Sequence, residues 1–346
     1  MLDDVVESYY LETGDGLFFA VKGLAHPPDR MIAVLRYAPD PNGERRRCGV
    51  SYRRYYDFAE QERLLRSLYP QYLAYDPVFQ ATLQSVPKAL IRRIYNPRQG
   101  LQKLIQGAAA MGVADDACTF ARLLQKEAGV SWAAIGISGS LLIDLHTEKS
   151  DLDFSVFGTE NCRKVYDSTK VLLDSQSDPD LRRFDREGIE ELYRQRSADT
   201  PMRFDDFASL EKNKVCQGNF RRRPYFIRFI KEPREAGETY GDLRYTPLGQ
   251  ATLAATIADD CESIFTPCRY GVSDVRILEG PHFEVNEILS FRGRFCEQAR
   301  SGQPVLATGT LERVESRRGE VHHRLLLGNT AHDAMVHDRS RAMETK

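Results

Sequence analysis

Apolar residues run almost unbroken over residues 17–24 and again over 31–37, with turns at His26, Pro27 and Pro28 and at 39–43, a pattern that predicts a small β-unit. Helical spacing takes over at 58–68 and at 87–95, and Asn96 with Pro97 opens a further predicted helix through 105. From 115 to 127 the period is again helical, with Asp115 or Asp116 as cap and Gly129 at the C-terminal end. A short strand is expected over 132–137, helical spacing at Leu141, Leu142 and Leu145, and a half-buried strand over 151–157. Helices are expected at 161–173, 181–193 and 205–217, and a β-prone run at 224–230. A helix over 248–265 precedes β-type runs at 272–278, 287–295, 304–314 and 321–327. The succession predicts an α/β core over 110–245 within a chain that is α+β overall. Around it come an α+β domain at 1–109, a connecting helix at 246–268, a small β-rich, barrel-like domain at 269–329 and a disordered tail at 330–346.

A length of 346 residues agrees with two or three domains, of which the pattern gives three. With 42% hydrophobic and 28% charged residues the composition is that of a globular protein. The first residues are acidic, unlike a signal peptide, and no apolar run reaches the length of a membrane span, so a cytoplasmic protein without membrane association is expected. The 7 cysteines are scattered, and neither Cys261 with Cys268 nor His322 with His323 completes a zinc-ligand pattern. A net charge of −2 gives no global field for nucleic acid, but arginines at 45–47, 53–54, 92–93 and 221–223, several beside tyrosines, leave two readings open: local phosphate and base contacts, or solvated surface.

The candidate chemistry lies in the middle of the chain. Gly136, Ile137, Ser138, Gly139 and Ser140 form a tight turn leading into helical spacing, and after ten residues Asp151, Leu152 and Asp153 begin the next strand. Glycine lets backbone approach a ligand, and first-turn N–H groups with the Ser140 hydroxyl suit a triphosphate, so Gly139 and Ser140, with Ser138 beside them, are the candidate nucleotide-binding residues. Asp151 and Asp153, at i and i+2 on a strand, point to one face about 7 Å apart and are the candidate ligands of divalent cations. Mg2+, or Mn2+ in its place, suits a pair of carboxylates completed by substrate phosphates. Asp144, His146, Thr147 and Lys149 lie between the two parts, where helix surface and loop solvation account for them.

The glycine-serine pair, the ten-residue spacer and the Asp-x-Asp strand resemble the signature of the DNA polymerase beta-type nucleotidyltransferases. A wider likeness, through the segments 18–28, 75–79, 224–230 and 280–295, links nearly the whole chain to an archaeal-type group described as predicted nucleotidyltransferases. The resemblance implies a polymerase beta-like core and transfer of a nucleoside monophosphate from a nucleoside triphosphate to an acceptor hydroxyl by two-metal catalysis. RNA or a protein is a candidate acceptor, and a small molecule stays open beside them. It also implies a third catalytic carboxylate from a later strand. The run 224–230 contains none, and Glu232 just past its end is the candidate, with Glu235 and Asp242 behind it and Arg228 as a possible phosphate contact. The same departure supports an alternative, a nucleotide- or RNA-binding protein that kept the fold and lost turnover.

Overall fold

The structure, a computed structural model, describes residues 4–107, 111–196 and 201–339. Two compact units account for the chain: Met1–Pro77, Ala81–Leu181 and Asn219–Tyr240 form the first, and Val78–Gln80, Arg182–Gly218 and Gly241–Lys346 the second. The segment expected to form an N-terminal domain therefore clusters with the Asp-x-Asp strand in one unit. The expected boundary at 109–110 falls outside the described residues.

The first unit contains two sheets. In the larger, the strands run in the order Arg45–Arg47, Val50–Arg54, Arg30–Pro39, Phe18–Val21, Tyr10–Thr13 and Ile91–Tyr95, while Ala81–Pro87 joins Arg30–Pro39 and carries Leu73–Asp76. Alternation along Arg30–Pro39 buries Met31, Ala33 and Leu35 and leaves Ile32, Val34 and Arg36 half-exposed. The buried set packs with Leu11, Phe19 and Val21 and also with Phe157 and Ile230, the ends of two strands of the smaller sheet. Each such fully buried apolar side chain contributes roughly 1.5–3 kcal/mol, and this common core explains why the two sheets belong to one unit.

At the centre of the smaller sheet, Leu152–Phe157 lies parallel to Arg223–Ile230 and antiparallel to Ile135–Ile137. The helix Val113–Ala128 covers it, burying Val113, Ala117, Phe120, Ala121 and Leu124 at helical spacing. Phe120 meets Phe154 at 5.4 Å, Phe220 at 4.7 Å and Tyr225 at 4.8 Å between ring centroids. That helix is capped by Gly112 rather than by Asp115 or Asp116, which pair with Arg221. The helices Phe58–Leu68, Pro97–Gln106 and Thr159–Ser175 agree with their sequence patterns. The helix expected at 87–95 is absent: Ala81–Pro87 and Ile91–Tyr95 are strands joined by a 3-10 turn, because Ile91, Ile94 and Tyr95 find partners along Tyr10–Thr13. Over 132–137, a 3-10 turn precedes a strand of only Ile135–Ile137.

In the second unit, Leu243–Glu262 pairs with both Cys268–Glu279 and Pro304–Ser316. Cys268–Glu279 pairs with Glu287–Ser290, which runs parallel to Val321–Leu327, which returns antiparallel to Pro304–Ser316. The pairings thus close a circuit of five strands. The connecting helix expected over 246–268 is instead the first of these strands. Its alanines, Ala251, Ala254 and Ala255, are buried, and Gly249, at φ 123°, sits at a register shift that a helix would not contain. The expected tail is corrected in part: Ala334–His337 is a strand on Pro304–Ser316, while 340–346 lie outside the described residues. Arg186–Arg196 and Phe204–Glu211 are helical, each shorter than or shifted from its expected span. No helix among the described residues is long and apolar enough to cross a membrane.

Candidate active site

Register places the sequence motif. Ile137 pairs with Phe154, and Ser138 N–H donates to the Asp153 carbonyl at 2.8 Å, so the chain leaves its strand level with the Asp-x-Asp segment. Gly139 follows at φ 59°. A Cβ at this position would collide with the Asp153 carboxylate, so glycine is required both for the left-handed backbone and for the close approach. The helix that begins here, Gly139–Leu142, is a single turn and not the longer element expected.

Ser138, Gly139, Ser140, Asp151 and Asp153 are therefore brought together, but the two hydroxyls are engaged within the protein. Ser138 Oγ donates to the Ser8 carbonyl at 2.8 Å, and Ser140 Oγ donates to Ser150 Oγ at 3.2 Å. Ser150 Oγ also accepts from Thr147 N–H and Arg45 Nη1, each at 2.9 Å, which pins the loop before Asp151. Ser8 is buried at φ 78°, a strained setting for a residue with a Cβ.

Asp151 opens to solvent and Asp153 is half-buried. Surrounding protein and the like charge of Asp153 raise the Asp151 carboxyl to about 6, against the pull of Arg54 and Arg45. A carboxylate pair that repels itself in this way is relieved by a cation. Among the described residues no group of three or more His, Cys, Asp or Glu side chains is placed to hold a metal, so the protein offers two carboxylates. That donor set fits Mg2+ or Mn2+ when substrate phosphates complete the shell.

Glu232 is not at the site. Phe226 is the register partner of Asp153, and Glu232 lies six residues further on, on the order of 20 Å away at the usual strand rise. There it ion-pairs with Arg98 and, with Glu235, forms the capping box of the helix Pro233–Ala236. Glu235 also accepts from Thr159 N–H at 2.9 Å. Asp242, the other reserve candidate, belongs to the second unit and pairs with Arg317 at 3.2 Å.

The structure instead gathers cations. Burial pushes Lys22 down to about 8, opposed by Glu7 and reinforced by Arg228 and Arg36. Burial likewise presses Arg36 below its ordinary value, helped by Arg54 and Arg228. For Arg54, burial opposes the charge, yet Tyr37, Tyr56 and Asp153 hold its pKa above the usual value. Lys22 meets Glu7 at 2.6 Å and Arg228 meets it at 3.5 Å, while Arg54 stacks over Tyr56 at 4.1 Å. Of these cations only Arg228 and the runs 45–47 and 53–54 stood out in the sequence. Arg36 had one signal, a lone charge inside the apolar run 31–37.

Two arginines of the run 221–223 are held in ion pairs, Arg221 with Asp115, Asp116 and Asp180, and Arg223 with Asp116 and Glu148, while Arg222 is exposed. For Arg221 and Arg223 this favours internal pairing over a nucleic-acid surface. All 7 cysteines are free, Cys48 and Cys261 exposed and the others buried.

Fold and site together define a mixed α+β protein with three sheets and a pair of neighbouring aspartates with cations close by. An uncharacterized protein of Methanocaldococcus jannaschii is similar to it, 27% identical over 332 residues that span 93% of this chain and 94% of the relative. No family model and no solved structure matches.

Proposed function

We propose that Asp151 and Asp153 bind a nucleoside triphosphate with Mg2+ or Mn2+ and that the site transfers its nucleoside monophosphate to an acceptor hydroxyl, releasing pyrophosphate. The observation that carries this reading is Gly139, whose backbone is held against the Asp153 carboxylate with no space for a side chain. A cation held by the two carboxylates would supply positive charge at the phosphate oxygens. Gly139 holds the turn close against Asp153, and Ser150 with Arg45 holds the loop that delivers Asp151. The acceptor oxygen forms a bond to the α-phosphorus as the bond to pyrophosphate breaks, and the hydroxyl proton passes to water at the open side of Asp151. RNA or a protein side chain is the proposed acceptor class, and the cytoplasm the proposed location.

A second reading is favoured by one specific observation. The strand beside Asp153, where the resemblance implies a third carboxylate, presents Arg228, and Glu232 is engaged elsewhere. A protein of this kind would bind the triphosphate without turning it over.

One experiment separates the two. Pyrophosphate release is followed from each of the four common ribonucleoside triphosphates with Mg2+ or Mn2+, with and without cellular RNA, for the native chain and for Asp151→Ala/Asp153→Ala. Release that requires both aspartates supports transfer, and equal release by the variant would rule it out. Triphosphate binding without release on any acceptor supports the second reading.

A further inference from the structure

Arg36 is half-buried on the strand Arg30–Pro39, and among the described residues no carboxylate pairs with its side chain. Arg54, the register partner of its neighbour Tyr37, lies within electrostatic reach of it, as do Arg228 and Lys22. Glu7 serves Lys22 and Arg228, and Asp151 and Asp153 lie at the Arg54 and Arg45 end. The cluster thus holds five cations, Lys22, Arg36, Arg45, Arg54 and Arg228, against four carboxylates, Glu7, Glu44, Asp151 and Asp153. Tyr10 and Tyr37 do not redress the balance: burial raises both, so they stand as neutral phenols at neutral pH. A half-buried guanidinium among like charges is unfavourable unless an anion joins it.

The cations also share one neighbourhood. Lys22 is in electrostatic reach of Arg228 and Arg36, Arg36 of Arg54 and Arg228, and Arg54 of Asp153. Such a group suits a multiply charged anion rather than a single carboxylate. We propose that Arg36, with Lys22, Arg54 and Arg228, forms a polyphosphate subsite that takes the terminal phosphates of the bound triphosphate. Its assignment to a nucleotide rests on the transfer reading above; its affinity for polyphosphate does not. Arg228 then has a role on the strand that lacks the third carboxylate: it neutralises phosphate charge from the protein side.

The test is calorimetric titration of the metal-free full chain with inorganic tripolyphosphate in EDTA. Saturable binding is expected, weakened at least tenfold by Arg36→Met and by Lys22→Met. Arg66→Met, which removes an exposed arginine paired with Glu62, leaves it unchanged. Asp151→Asn/Asp153→Asn binds tripolyphosphate as tightly as the native chain or more so, since it removes negative charge beside the cations. Absence of saturable binding, or native affinity in Arg36→Met, would overturn the subsite. If circular dichroism shows that Arg36→Met does not fold, Lys22→Met and Arg54→Met carry the same expectation, and native affinity in both overturns it equally. Failure of pyrophosphate release with tripolyphosphate binding intact would count against the transfer reading alone.

Discussion

Gly139 concentrates two constraints in one residue, a left-handed backbone and a carboxylate where a methyl group would stand. Gly139→Ala should therefore destabilise the first unit by about 1–3 kcal/mol, the scale of a strained non-glycine backbone, and should weaken Mn2+ binding by moving Asp153. Denaturant unfolding and a Mn2+ titration of the variant check both; native stability with native affinity would show that the turn has slack. At this scale the glycine and the aspartate pair were legible because their chemistry is local in sequence. The cation group was not. Arg36, Arg54 and Arg228 come from separate strands and Lys22 follows a fourth, Phe18–Val21, and only the folded sheets bring their charges into range of one another. Glu232 misled for the related reason that strand phase says which face a residue takes, not how far along the strand it lies from the site.

Among the elements, the helix Val113–Ala128 carries the packing that holds the site strand in place, and Phe120 is its centre. Phe120→Ala should cost about 3–5 kcal/mol, since it deletes a fully buried ring, and urea midpoints against the native chain measure it. A loss below about 1 kcal/mol would mean that the helix is not what supports Leu152–Phe157. That helix was readable from its apolar period. The strand Leu243–Glu262 was not, because its alanines carry helical propensity while its place is decided by partners on both sides, Cys268–Glu279 and Pro304–Ser316. The segment 87–95 failed in the same way, its pairing partner lying some eighty residues earlier in the chain.

For the molecule as a whole, the two units carry different electrostatic liabilities. In the second, Glu211 and Lys214 are buried together at 2.7 Å, and Arg196 joins Glu211 at 3.3 Å. Burial works against the Glu211 charge, but Lys214, Arg196 and Gln217 outweigh it and hold the carboxyl below its ordinary value. Its folded pKa being depressed, this group stabilises the unit above the ordinary carboxylate pKa, and the contribution disappears as pH falls through the folded value. Lys214→Met should cost about 3–5 kcal/mol at neutral pH by breaking the buried pair and leaving Glu211 to the half-exposed Arg196, and the deficit should shrink toward acid pH, as thermal unfolding across a pH series would show. In the first unit the liability is the aspartate pair beside the cations, which metal and polyphosphate would relieve. The most direct test is electron paramagnetic resonance of Mn2+ with a non-hydrolysable nucleoside triphosphate analogue, for the native chain and Asp151→Asn/Asp153→Asn. The account predicts a protein-bound manganese–nucleotide signal that disappears in the double variant, whereas the same signal with the same affinity in both proteins would contradict it.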